Sequence, residues 1–236
     1  FPTRRSSDLT MTLPRPRRYE IHLWSWCLDS DSLSGDAGEA LLNDAEKARS
    51  RRFVTAVLQQ RFVAARSRVR ALLGAYLGRD PRGLAFVENE FGKPRLADRP
   101  DVHFSLSHSQ DRALLAVSEG LEIGADLEGV RSVDHLGLAR RYFHRNEVAA
   151  IERHADPQQA FFRIWTLKEA VVKALGTGLL IPLDEFEVSI EAAQPRMVTP
   201  PPGASAAWWL YLAPGDYCRA LAAPAEGEVG LIQRTV

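Results

Sequence analysis

The sequence predicts an α+β fold. Segments with helical spacing and segments with strand alternation are mixed in both halves of the chain. The strand-like runs VHFSLSHS, RALLAVS and LEIGADLEGV follow one another closely, with Glu119-Gly120 between the last two at hairpin-like spacing. The strands read as antiparallel, and no regular strand–helix–strand alternation suggests a doubly wound parallel sheet.

In chain order, residues 1–10 are polar and basic without periodicity and read as a non-native or disordered leader, with Met11 as a start. YEIHLWSWCL, from Tyr19 to Leu28, is rich in aromatic and β-branched residues and partly alternates, which predicts a strand. An Asp/Ser/Gly loop follows to Gly38. From Glu39 to Leu73 the spacing is helical and basic, as two helices broken near Phe53 to Val57, with Gly74, Gly78, Asp80 and Pro81 marking the end. LAFVEN and VHFSLSHS are strands flanking the turn-forming FGKPRLADRP. The second half opens with a basic helical segment from Asp134 to His154 and a strong helix from Gln158 to Leu175. FEVSI, WWLYLA and YCRALAA then read as strands.

The 236 residues suffice for one large domain or two compact halves, and composition is that of a folded globular protein, 45% hydrophobic and 25% charged. Thirty basic residues balance thirty acidic ones, so net field implies neither a nucleic-acid nor a membrane partner. Cys27 and Cys218 are far apart, without the companions of a zinc or redox motif, which favours a reducing, cytoplasmic setting. No apolar run approaches the length of a membrane span.

Four constellations bear chemistry. In IGADLEG, Asp126 and Glu128 flank Leu127, and on a strand residues two apart share a side, leaving Ile123, Ala125 and Leu127 for the core. Paired hard carboxylates suit magnesium, although an amphipathic strand with a solvated face has the same pattern. In WTLKEAVVKALGTGL, Leu167, Ala170, Val171, Ala174 and Leu175 form a buried helical face, and Gly176 and Gly178 end the helix. Glu169 and Lys173 lie one turn apart, either as a salt bridge or as a third carboxylate and a phosphate-facing cation. Lys93 in the Gly-Pro turn of FGKPRL, with Ser107 and His108 at a strand end, could face an anion. No GxSxG elbow makes Ser107 a nucleophile, and His103 and His108 lack zinc spacing. Finally, KARSRRF to LQQRF supplies Arg49, Arg51, Arg52 and Arg61, without the aromatic platform of an RNA-binding module.

Together and in this order, these segments resemble the 4′-phosphopantetheinyl transferase superfamily, in its larger type that activates peptide and polyketide synthetases. The likeness runs from about Tyr19 to Ala223. Its most specific parts are the G-[IV]-D-[ILV]-E pattern at Gly124 to Glu128 and W-x-x-K-E-A-x-x-K at Trp165 to Lys173. GKP at Gly92 to Pro94, FSLSHS at Phe104 to Ser109, RRYFHRNE at Arg140 to Glu147 and GTGLLIPLDEFEV at Gly176 to Val188 support them. Two positions depart from the family pattern: Ala125 replaces Ile or Val, and Leu58 stands where relatives carry an acidic residue before the arginine matching Arg61.

The resemblance implies two similar α+β lobes related by pseudo-twofold symmetry, at 11–120 and 121–236, with the active site in the cleft between them. It implies transfer of 4′-phosphopantetheine from coenzyme A to a serine of an apo acyl or peptidyl carrier protein, with magnesium. Asp126, Glu128 and Glu169 would hold Mg2+, and Glu169, directly or through water, would take the proton. Lys173 would contact the diphosphate; Arg49, Arg61, Lys93, Ser107, His108 and Lys168 would bind coenzyme A. The partner would be a small acidic helical carrier, and a monomer would suffice. Val130 to Phe143, with Arg131, Arg140 and Arg141, is a candidate docking surface because it follows the carboxylate strand directly, although simply solvated arginines give the same pattern. A nucleotide-diphosphate hydrolase and a non-catalytic coenzyme A-binding module are the alternatives. Coenzyme A turnover without carrier would favour the first, and the intact carboxylate trio argues against the second.

Overall fold

The computed structural model describes residues 12–236, so the expected leader at 1–10 lies outside the described residues. The chain forms two compact units, one of residues 12–15 with Trp26–Phe86, the other of Pro16–Ser25 with Val87–Val236. This partition differs from a boundary at residue 120.

The first unit is helical: α1 (Asp36–Glu39), α2 (Asp44–Ser50) and α3 (Ala56–Leu77). The expected break falls between α2 and α3, where the Thr55 hydroxyl accepts the Leu58 N–H and caps the longer helix. That helix runs past Gly74 to Gly78, which takes the left-handed conformation (φ 62°) that closes a helix. Gly74 is small for another reason: a Cβ there would meet Arg79 O at 2.9 Å and Pro81 Cγ at 3.1 Å, where the chain turns back on the helix. Arg70, fully buried, ties the unit together by donating from Nε to Glu46 at 2.7 Å and from Nη1 to the carbonyls of Pro81 and Leu84.

The second unit contains β1 (Glu20–Cys27, whose last two residues group with the first unit), β3 (Pro94–Leu96), β4 (Val102–Ser109), β5 (Arg112–Glu119) and β6 (Gly124–Gly129). Short β2 (Phe86–Glu88) pairs with β3. Then come α4 (His135–Tyr142), α5 (Arg145–Arg153) and α6 (Pro157–Leu175), followed by β7 (Glu187–Ser189), β8 (Arg196–Thr199), β9 (Trp209–Ala213), β10 (Tyr217–Ala223) and β11 (Gly230–Thr235). One sheet has the order β11-β1-β5-β4 and another β6-β10-β9. Three expectations are corrected. The hairpin-like spacing across Glu119-Gly120 does not pair β5 with β6, because β5 lies between β1 and β4 while β6 pairs with β10 in the other sheet. The strands are not all antiparallel, because β11 lies parallel on β1 with Ile21 opposite Leu231. The basic segment from Asp134 is two helices, because His144 leaves helical geometry and forms a capping box with Glu147, which accepts the His144 N–H at 3.0 Å.

The β6-β10-β9 sheet is buried on both faces. Cys218, Ala220 and Ala222 of β10 join the core built by α4, α5 and α6, while Leu221 and Ala223 join Ile21, Leu114, Ala125 and Leu127 toward the larger sheet. The period-two alternation of β10 thus serves two cores. Strand β6 follows suit: Ala125 and Leu127 face the larger sheet and Gly124 faces α6. A Cβ at Gly124 would collide with the carbonyl of Ala170, so glycine here sets how closely β6 approaches α6.

Candidate functional site

Since Ala125 and Leu127 take one face of β6, Asp126 and Glu128 take the face shared with Gly124, toward α6. Asp126 is buried, 4% exposed, which removes the solvated-face reading. Its Oδ1 accepts hydrogen bonds from Lys173 Nζ at 2.6 Å and from the Ser107 hydroxyl at 2.9 Å. Its Oδ2 is buried with no hydrogen-bond partner. Glu128 Oε2 accepts from Arg131 at 3.0 Å and from Ser109 Oγ at 3.4 Å. Glu169, half-buried on α6, is held above the usual carboxylate range by burial and by the charge of Asp126, with Glu128 adding to it and Lys173 opposing. Three carboxylates therefore share one field.

Lys173 does not close the simple one-turn salt bridge; its ammonium goes to β6 and to Ser107 Oγ at 3.0 Å. Ser107 is buried and its hydrogen-bonding capacity is spent inside the protein, because it also accepts the Leu127 N–H at 3.2 Å. His108, next along β4, is exposed at the strand end. Surrounding protein, and then the Lys173 charge, hold its imidazole toward the neutral form.

Lys93 has partners of its own: Nζ donates to Glu122 at 2.6 Å and to the Ala174 carbonyl at 2.8 Å, in the last turn of α6. Asn89 shapes that turn, accepting the Phe91 and Lys93 N–H groups and donating to the Gly176 carbonyl at 2.8 Å. The GKP loop is thus a clasp on the end of α6.

Lys168 corrects the expectation that it binds coenzyme A. It is fully buried and donates to Leu183 O and Phe186 O, both at 2.6 Å, with Glu147 Oε2 at 2.9 Å and the Phe186 ring 4.0 Å from Nζ. All three donors are used, so none reaches a ligand. Arg49 and Arg61 belong to the first unit, Arg49 over the Phe62 ring and Arg61 in a fork on Asp29 at 2.6 and 2.7 Å. Of the surface arginines expected near a partner, Arg140 pairs with Glu152 and Arg141 lies over Tyr142.

The donor set suits a hard cation, and the buried, partnerless Asp126 Oδ2 is the atom a cation would satisfy. Among the described residues no three His, Cys, Asp or Glu side chains already form a metal-holding group. Magnesium is often held by one or two carboxylates, with waters and substrate phosphates completing its shell, so the site need not be a closed protein cage. Sequence reasoning missed Asn89 and Glu122, whose importance lies in loop contacts, and had Gly124 only as a motif position without its close approach to α6; none of the three gives a periodic signal.

Residues 122–222 match the family model for the 4′-phosphopantetheinyl transferase superfamily. Over 225 residues the chain is 38% identical to 4′-phosphopantetheinyl transferase HetI from Nostoc sp., a match covering 90% of this chain and 93% of that protein. The chain belongs to this superfamily. It is also similar to 4′-phosphopantetheinyl transferase Sfp from Bacillus subtilis, at 32% identity over 52% of this chain and 54% of Sfp. The gsp transferase of Aneurinibacillus migulanus matches at 32% identity over 57% of this chain and 60% of its own length. Among the described residues no helix is long and apolar enough to cross a membrane.

Proposed function

We propose that this chain transfers the 4′-phosphopantetheine arm of coenzyme A to a serine of an apo carrier protein, releasing adenosine 3′,5′-bisphosphate, with Mg2+ held by Asp126, Glu128 and Glu169. The observation that carries this reading is a buried carboxylate, Asp126, with one oxygen on Lys173 and the other without a partner, in a chain 38% identical to HetI. In the reaction the serine oxygen forms a bond to the pantetheine-side phosphorus, the bond from that phosphorus to the bridging oxygen breaks, and the serine proton leaves.

Each residue has a task set by its chemistry. Glu169, with its raised pKa, accepts the serine proton, directly or through a water, since a base titrating closer to neutrality is better matched to that transfer. Lys173 presents a cation to the diphosphate, where negative charge grows on the leaving group. Bound magnesium would supply further neutralisation of the diphosphate oxygens. Arg49, Arg61, Lys93, Ser107 and His108 are assigned to the nucleotide end of coenzyme A. For Ser107, Lys93 and Arg61 that role requires exchanging a present partner. The same reading carries lobes at 11–120 and 121–236 with pseudo-twofold symmetry and a site in their cleft, an acidic helical carrier docking on Val130 to Phe143, a monomer, and a cytoplasmic setting.

The test is incubation with coenzyme A, Mg2+ and an apo carrier domain, weighing the carrier by intact-mass spectrometry. A gain of one phosphopantetheine, lost with chelator or when the carrier serine is replaced, is expected. Coenzyme A cleavage without carrier would move the reading to a hydrolase. Coenzyme A binding with no gain on several carriers would move it to a binding module.

A further inference from the structure

Strands β4 and β6 are neighbours that belong to different sheets: the backbone of β6 pairs with β10 and that of β4 with β5. Between them run three side-chain bonds at one fixed offset. Ser105 Oγ accepts the Ala125 N–H at 2.9 Å, Ser107 Oγ the Leu127 N–H at 3.2 Å, and Ser109 Oγ the Gly129 N–H at 3.1 Å. Strand alternation puts the three hydroxyls on one side of β4, and the three amides lie on one edge of β6. The bonds satisfy buried donors that would otherwise cost about 1–3 kcal/mol each.

A hydroxyl that accepts a backbone N–H still has its own proton to give. Ser107 gives it to Asp126 Oδ1 at 2.9 Å and Ser109 to Glu128 Oε2 at 3.4 Å. A single oxygen therefore fixes the strand and, at the same point, the carboxylate one residue before the amide it holds. For Asp126 this leaves Oδ1 doubly engaged and Oδ2 without a partner. A main-chain ladder between β4 and β6 would join the strands but offer no donor to either carboxylate.

We infer that Ser107 and Ser109 are positioning residues that aim the Asp126 and Glu128 carboxylates, with Ser105 as the anchoring rung of the same hydroxyl ladder. The inference rests on the reading of Asp126 and Glu128 as cation ligands. It acts through those carboxylates in the resting chain, before any partner exchange that frees Ser107 for coenzyme A.

The experiment compares wild type with Ser107→Ala, Ser109→Ala and the two threonine variants, reading site-resolved amide exchange by NMR and Mn2+ binding to the resting chain by electron paramagnetic resonance. In Ser107→Ala the Leu127 amide should exchange about tenfold faster, and in Ser109→Ala the Gly129 amide, while the amides of Asp126 and Glu128 keep their protection. Mn2+ affinity should fall about 10–100-fold in the alanine variants and recover in the threonine variants, which keep the hydroxyl. Exchange that rises evenly along β6, metal affinity that does not move, or alanine and threonine behaving alike would overturn the inference. If wild type binds no Mn2+, the magnesium assignment fails by itself, and the ladder then stands or falls on the exchange pattern and its rescue by threonine.

Discussion

Asp126 and Lys168 show how two charged residues in adjoining motifs end in opposite roles. Asp126 is buried with a spare oxygen, whereas Lys168 is buried with every donor satisfied. A spare buried oxygen is costly for folding alone, which is why it points to a ligand. On the proposed mechanism, Asp126→Asn or Glu169→Gln should lower turnover at least about a hundredfold, about 2.7 kcal/mol of transition-state stabilisation. Initial rates with an apo carrier, alongside unchanged thermal melting, check this; near wild-type rates in either folded variant would remove that residue from the site. Lys168 should behave differently. Lys168→Met leaves the Glu147 carboxylate buried without its cation and should cost about 3–5 kcal/mol of stability, read as a shift in urea midpoint. Adding Glu147→Gln should recover part of that loss, because the stranded charge is then gone. The sequence alone did not separate Lys168 from Lys173: both belong to the WxxKEAxxK pattern, and only packing reveals that one faces Glu147 and the other β6.

At the scale of elements, the strand carrying Asp126 is located by its pairing with β10 as well as by α6, β4 and the core behind it, and only its buried face was legible beforehand. Alternation along β6 correctly gave Ala125 and Leu127 to the core. The approach of α6 over Gly124, and the serine rungs from β4, are contacts between distant segments that leave no periodic trace. Likewise β11 was missed: GLIQRT is short and largely exposed, and only its pairing with β1 makes it a strand. The break at His144 was missed because its cap is a histidine rather than the more frequent Ser, Thr, Asp or Asn. Gly124→Ala tests the α6 contact. The added methyl meets the backbone carbonyl of Ala170, which cannot swing aside as a flexible side-chain end could. The strand must therefore retreat from the helix, and a loss of about 1–3 kcal/mol is expected, as for overpacking elsewhere. Because Asp126 moves with the strand, turnover should fall more than the folded fraction does. A variant of wild-type stability and rate would show that the approach is not tight.

At the scale of the whole molecule, pH reports on how the second unit is tied together away from the carboxylate trio. Glu122, just before β6, accepts from Lys93 at 2.6 Å and from Arg95 at 3.1 Å, with His103 Nδ1 at 3.3 Å, and Lys93 continues to the last turn of α6. Burial alone would raise the Glu122 pKa, but the hydrogen bonds and charges of His103 and Lys93 outweigh it and draw the carboxyl down to about 2 from 4.5. A carboxyl whose folded pKa is depressed binds fewer protons folded than unfolded, so its stabilisation is fully present above the unfolded value and is lost as pH falls toward the folded one. The window for this group lies between about 4.5 and about 2. At pH 7, Glu122→Gln should be less stable than wild type by about 1–3 kcal/mol, because Lys93 keeps its buried ammonium without a counter-charge. As pH is lowered through that window the difference should shrink, since wild type then protonates the same group. Urea midpoints of the two proteins compared at matched pH follow the difference and cancel what the other carboxyls contribute. A gap that stays constant from neutral pH down to the bottom of the window would mean that the Glu122 charge is not what fastens the GKP loop to α6, and that Asn89 and backbone bonds hold it instead.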